Sequence, residues 1–237
     1  MSAPTEQRGA REDGGQAPRS LRAVLFDMDG LLVSTEDLWF EVEQEVMRRL
    51  GGEWTREHWT AMVGRPLETV AAYLLELTGA DVAPGTVGDW MLESMGRHLA
   101  ESPVQWMPGG QRLLRDVRSA GIPTALVSAS HRSIIEGVLV AVGRDHFDTT
   151  VSGDEVSATK PHPEPYLTAA ARLGADPRDC VALEDSANGA AAAVAAGCVT
   201  VVVPSAPPFA ERPGLTVIRS LEDLDVPALQ SLVAGRR

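Results

Sequence analysis

The chain of 237 residues contains one lysine, Lys160, in a Lys+Arg total of 21, and 33 Asp+Glu leave it with a formal net charge of −12. A surface so short of positive charge repels nucleic acid and anionic membrane faces, which excludes a general polyanion binder. A phosphate ligand would need local positive charge or a metal. Cysteine is almost as scarce: Cys180 and Cys198 lie in the apolar stretches DCVALED and AAGCVTVVV and read as buried free thiols, not a disulfide. No apolar run reaches the ~20 residues that span a bilayer, since the longest, 189–203, carries Gly197 inside it and reads as a helix passing into a strand. The amino-terminal MSAPTEQRGAREDGGQAPRS has no apolar core and is predicted to be a disordered leader over 1–20, neither signal peptide nor anchor. These absences predict a cytoplasmic protein, and nothing in them demands more than a monomer.

What is present is enough apolar sequence, 44%, for one large core or a core with a smaller partner. Short apolar runs at 23–26, 124–127, 149–152, 180–183 and 199–203 alternate with helical patterns, without the polar alternation of a half-exposed strand. Such runs suit parallel strands covered on both faces, so the expected fold is α/β with a Rossmann-like parallel sheet. Ser130 reads as the cap of a helix running to about Val142. Pro163 and Glu164 open another to about Leu173, and Ser186 precedes an alanine-rich helix ending near Gly197.

Between Ser34 and Gln105 apolar residues recur at helical spacing, as in Leu38, Trp39, Val42, Val46 and Leu50. Pro66 after Gly64 fits a helix start, and Gly79 and 81–88 fit breaks, giving four helices. This predicts a small all-helical cap domain, 35–105, inserted after the first strand into a core made of 21–34 and 106–237.

Polar residues gather where strands end. AVLFDMDGLLV puts Asp27 and Asp29 just past the first strand, the edge at which open α/β sheets bind ligands, although a bare DxDG is equally an acidic turn. LVSAS puts Ser128 at a second strand end, SATKPHPEP puts Lys160 in a loop before a helix, and VALEDSANG puts Glu184 and Asp185 at a third. Taken singly, Ser128 reads as a helix cap, whereas Lys160 reads as functional in preference to a surface lysine, because arginine stands at every other basic position. His162 between two prolines reads as a rigid loop residue; Asn188 and Gly189 either order the acidic loop or start the helix.

Together FDMDG, LVSAS, TKPHPEP and ALEDSANG resemble, in order and spacing, the four motifs of the haloacid dehalogenase superfamily, across essentially everything after the leader. The position of the helical insert resembles the cap of the β-phosphoglucomutase-like branch. The usual residues after the second aspartate differ here, being Gly30, Leu31 and Leu32, then Ser34, Thr35 and Glu36. The resemblance implies an Asp27 nucleophile forming an aspartyl-phosphate and an Asp29 general acid and base. Mg2+ would be held by Asp27, the Asp29 backbone carbonyl and Asp185, with Glu184 supporting from behind. Phosphate contacts are expected from Asp27, Met28, Asp29, Ser128, Ala129 and Lys160; Glu36 and Arg65, on the expected inner side of the cap, are candidates for substrate contact, though a charged residue on a helical insert reads first as part of its solvated face. A compact ammonium at 160 can touch both the nucleophile and the phosphoryl group, where a guanidinium fork needs another geometry. Carbon–halogen chemistry needs no acid for its leaving group, so Asp29 argues against a dehalogenase.

The implied activity is a Mg2+-dependent phosphatase acting on a small phosphorylated metabolite, with a sugar phosphate favoured by EDSANG. A phosphosugar mutase, which returns the phosphoryl group to the same sugar, shares nearly all these residues. A silent relative serving as a binding module is opposed by the retained acids, Ser128 and Lys160.

Overall fold

The computed structural model describes residues 19–62, 65–101, 104–205 and 214–236. The expected leader lies outside the described residues except for its end, where Arg19 pairs with Asp179 at 2.8 Å; Gly64 also lies outside them.

The chain opens with strand β1 (Ala23–Phe26) and the two-residue β2 (Val33–Ser34), then runs through helices α1 (Glu36–Arg49), α2 (Arg56–Met62), α3 (Leu67–Thr78) and α4 (Pro84–Glu101). It returns through β3 (Gln105–Trp106), α5 (Gly110–Ser119), β4 (Thr124–Val127), α6 (Arg132–Val142) and β5 (Thr149–Val151). The remainder is α7 (Glu164–Arg172), β6 (Cys180–Glu184), α8 (Ala187–Ala196), β7 (Val199–Val202), β8 (Leu215–Val217) and α9 (Val226–Ala234).

Among the described residues six strands form one sheet in the order β5-β4-β1-β6-β7-β8, parallel at every pairing. From β1 the chain builds outward to β4 and β5, then crosses to β6 on the other side. That reversal places the crevice beyond the carboxyl ends of β4, β1 and β6, where such sheets bind ligands. β1, β4, β6 and β7 are buried along their whole length, which is why their sequences are unbroken apolar runs. β8 was not foreseen: as a half-exposed edge strand of three residues, LTV, it carries no long apolar run.

The two faces of the sheet are packed differently. Leu25, Ala125, Val127 and Ala182 face Tyr166, Ala169 and Ala170 of α7 and Ala192 and Ala193 of α8. Small residues on both sides let those helices lie close to the strands. The opposite face, with Phe26, Leu126 and Leu183, belongs to a larger core that continues into the helical insert through Val42, Val46, Leu74, Met91 and Leu99.

α1 to α4 fill the interval between β2 and β3, which pair antiparallel (Val33 with Trp106, Ser34 with Gln105) so that chain exit and return lie side by side. Pro66 stands at the N-cap position of α3 without a side-chain cap bond, and Gly79 ends the helix in the left-handed conformation that glycine allows. The break expected over 81–88 is shorter: α4 starts at Pro84, because proline suits the first helical position and the following glycines are carried within the helix. Among the described residues no helix is long and apolar enough to cross a membrane.

Candidate active site

Asp27 is the first residue after β1, and its N–H donates to Leu183 O of β6 at 3.0 Å. The carboxylate therefore emerges at the centre of the crevice, almost fully buried. Lys160 reaches it from the loop between β5 and α7. Its side chain is 6% exposed, and Nζ donates to Asp27 Oδ1 at 2.5 Å, Glu184 Oε1 at 2.6 Å and Val127 O at 2.9 Å. An ammonium has three donors, and here each has an acceptor. Burial by itself would lower the lysine's pKa, but the Asp27 and Glu184 carboxylates outweigh it and hold the group above the ordinary lysine value.

Glu184 ends β6 fully buried. Oε1 accepts from Lys160 and from the Tyr166 hydroxyl at 2.5 Å, and Oε2 from the Asp185 N–H at 3.2 Å and Ser186 Oγ at 3.3 Å. Gly189 is required behind it, since a Cβ there would stand 2.0 Å from the carboxylate. The Ser186 hydroxyl also accepts the Gly189 N–H at 3.1 Å, so one residue caps α8 and braces the acid. Gly189 thus orders the acidic loop and lies in the first turn of the helix, whereas Asn188 is exposed. Asp185 follows, partly buried, with Gly30 (φ 80°) against it: a Cβ on Gly30 would lie 2.2 Å from Asp185 Oδ2. Burial and the neighbouring Glu184 charge push Asp185 up to about 6.

One oxygen from each of Asp27, Glu184 and Asp185 lies within 4.8 Å of the others. Burial pushes Asp27 well above the usual carboxylate range; Lys160 opposes this, while Glu184 and Asp185 add to it. Three acids against one ammonium leave the crevice negative, a state relieved by taking up either protons or a cation. The donor set is all carboxylate oxygen, which suits a hard divalent ion such as Mg2+.

Asp29 is held apart from that cluster. Thr35 Oγ1 donates to its Oδ1, and Ser130 Oγ to its Oδ2 at 3.0 Å. Burial raises its pKa, while the two hydroxyls and the Lys160 charge pull the other way. Ser130 does not cap α6 as its sequence position suggested. His131 occupies the N-cap position, and the Asp154 carboxylate accepts the Arg132 N–H at 3.0 Å, which leaves the Ser130 hydroxyl for Asp29. Ser128 is buried at the end of β4, its Oγ accepting the Ser130 N–H at 3.1 Å, so its own proton remains to be donated. Met28 is buried and Ala129 exposed on the same two loops.

Glu36 and Arg65 are exposed and make no described contact with this cluster. The start of α3 is nevertheless near: Glu68 Oε1 stands 4.0 Å from His131 Nε2, next to Ser130. His162 is exposed, its Nδ1 accepting the Glu164 N–H at 3.3 Å as a loop residue would. Sequence reasoning missed Tyr166, Ser186 and the Asp29-binding role of Ser130. The one available signal was Tyr166 at a core-facing position of α7, because a buried phenol must find a partner.

The model for haloacid dehalogenase-like hydrolases matches residues 24–203. Hexitol phosphatase B of Escherichia coli is 35% identical over 192 residues, which are 79% of this chain and 86% of the relative. Fructose-1-phosphate phosphatase YqaB of the same organism is 33% identical, across 76% of this chain and 95% of its own. Among solved structures, CbbY from Rhodobacter sphaeroides in complex with phosphate superposes with a TM-score of 0.78 at 29% identity, covering 88% of this chain and 99% of that one.

Proposed function

The chain belongs to the haloacid dehalogenase-like hydrolases, and on that footing we propose that it is a Mg2+-dependent phosphatase of a small sugar or sugar-alcohol phosphate, working through an aspartyl-phosphate on Asp27. The observation that carries the reading is the meeting of Asp27, Glu184, Asp185 and Lys160, from three separate segments, in one buried crevice. The named activities of the curated relatives support the substrate class.

A divalent ion held by Asp27, Asp185 and the Asp29 carbonyl would neutralise phosphate oxygens, so that a carboxylate can approach an anion. Asp27 forms a bond to phosphorus as the ester P–O bond breaks, and Asp29 gives its proton to the departing alkoxide. The raised pKa of Asp29 suits an acid that starts out protonated. In the second half Asp29 takes a proton from water, whose oxygen attacks phosphorus and releases the Asp27 carboxylate and inorganic phosphate. Lys160 carries positive charge beside both the nucleophile and the transferring group, and the Ser128 hydroxyl donates to a phosphoryl oxygen. The α1–α4 insert acts as a cap hinged at the β2–β3 pair, bringing Glu36 and Arg65 toward the substrate.

The test is release of inorganic phosphate from a panel of hexose, hexitol and pentose phosphates with Mg2+. Asp27→Asn is expected to abolish release, and chelation of the metal to do the same. Full activity in Asp27→Asn would refute the reading, and conversion of β-glucose 1-phosphate to an isomer without free phosphate would select a mutase instead.

A further inference from the structure

Tyr166 takes no part in the steps above, yet its hydroxyl donates to the same Glu184 oxygen that Lys160 reaches, at 2.5 Å beside 2.6 Å. The residue is wholly buried near the start of α7, with its ring centroid 5.2 Å from Lys160 Nζ. Glu184 poses a problem of discrimination. One of its oxygens lies within 4.8 Å of the Asp27 and Asp185 oxygens, so by position it is a third ligand for any cation they bind. A carboxylate offers about four lone-pair sites, and those of Glu184 meet four donors: Lys160, Tyr166, the Asp185 N–H and Ser186 Oγ. Of these, the Lys160 and Tyr166 bonds are the short ones. Lys160 is needed elsewhere, since its other donors hold Asp27 and Val127 O.

We propose that Tyr166 is a positioning residue whose hydroxyl keeps Glu184 committed to Lys160 and out of the coordination sphere of the cation held by Asp27 and Asp185, so that Lys160 stays aimed at the nucleophile. The kinetic arm of its test rests on the phosphatase reading; the metal-binding arm does not.

Tyr166→Phe removes one oxygen and keeps the ring. Mn2+ alone is the probe, its binding followed without substrate by loss of the free-ion EPR signal. The variant is expected to bind Mn2+ about threefold to tenfold more tightly, because Glu184 regains a lone pair to offer, while kcat falls about tenfold with KM within about twofold. A tyrosine that only filled space would be replaced by the phenylalanine ring with Mn2+ binding and kcat unchanged, and one whose hydroxyl merely stiffened the site would on its loss weaken Mn2+ binding as kcat fell. Adding Glu184→Gln to Tyr166→Phe must return the affinity to or below that of the unaltered protein.

Unchanged or weaker Mn2+ binding in Tyr166→Phe overturns the proposal, as does the absence of saturable Mn2+ binding to the unaltered protein. If Tyr166→Phe does not fold, single substitutions decide: Glu184→Gln, a residue behind the ligands, should weaken Mn2+ binding about tenfold and Asp185→Asn by clearly more, and equal losses overturn the proposal. Failure of the unaltered protein to release phosphate would overturn the phosphatase reading alone.

Discussion

Glu43 offers a quantitative test of the helical insert. It lies on α1, 5% exposed, and its Oε2 accepts the Trp54 indole N–H at 2.9 Å. Trp54 in turn packs against His58 and Tyr73, with ring centroids 5.4 and 6.1 Å away, so the carboxyl faces aromatic surface. Burial pushes its pKa up from 4.5 to about 7, against the smaller opposing effect of the Trp54 hydrogen bond. A folded pKa above the unfolded one means that the protonated acid is tolerated and the ionised one is not. The stability is fully present below pH 4.5, declines as pH rises, and has been lost once pH passes the folded value of about 7. The gap between 4.5 and about 7, at ~1.36 kcal/mol per pH unit, is about 3 kcal/mol. Glu43→Gln keeps an acceptor for Trp54 but cannot ionise. Its melting temperature relative to the unaltered protein should therefore rise between pH 5 and pH 8.5, by about 5–10 °C at ~2–4 °C per kcal/mol, since about 2.5 kcal/mol of the effect falls within that window. Because every other titrating group is common to both proteins, the difference between the two melting curves isolates Glu43. A difference that stays constant across that range would show the ionised carboxylate to be solvated and the reasoning wrong.

Other substitutions address the site. Lys160→Arg should lower kcat by about a hundredfold or more, because a planar fork cannot meet three acceptors converging on one nitrogen; phosphate release within threefold of the unaltered rate would contradict this. Gly189→Ala should cost about 1–3 kcal/mol in chemical denaturation and most of the activity, since its Cβ would meet the braced Glu184 carboxylate. Ser130→Ala and Thr35→Val each strip a hydroxyl that holds the Asp29 pKa down. Each should therefore move the alkaline limb of the kcat profile to higher pH, a shift that steady-state rates compared across the full pH profile of variant and unaltered protein will reveal.

Much of this molecule is legible from its residues in order. The runs AVLF, TALV and VTVV are strands because nothing but two covered faces accommodates unbroken apolar β-branched sequence, and they fall where expected to within a residue. The helices of the insert follow from spacing, proline and glycine, except where α4 begins at Pro84 and absorbs two glycines. The strand ends then put Asp27, Ser128, Glu184 and Asp185 on one edge. Even the lone lysine announced itself by contrast with the arginines around it.

Side-chain partnership was another matter. Ser130 sits where a helix cap belongs, and no local pattern says that its hydroxyl turns instead to Asp29, 101 residues earlier. Tyr166 looks like one more core residue of α7 until β6 brings Glu184 beside it. Lys160 finds its third acceptor in a backbone carbonyl of β4, which no sequence motif records. Periodicity is written by the backbone and its nearest neighbours, so the sequence determined the elements and the edge on which the chemistry gathers. Which donor meets which acceptor depends on how separate strands and loops close over one another, and only the tertiary structure decided that.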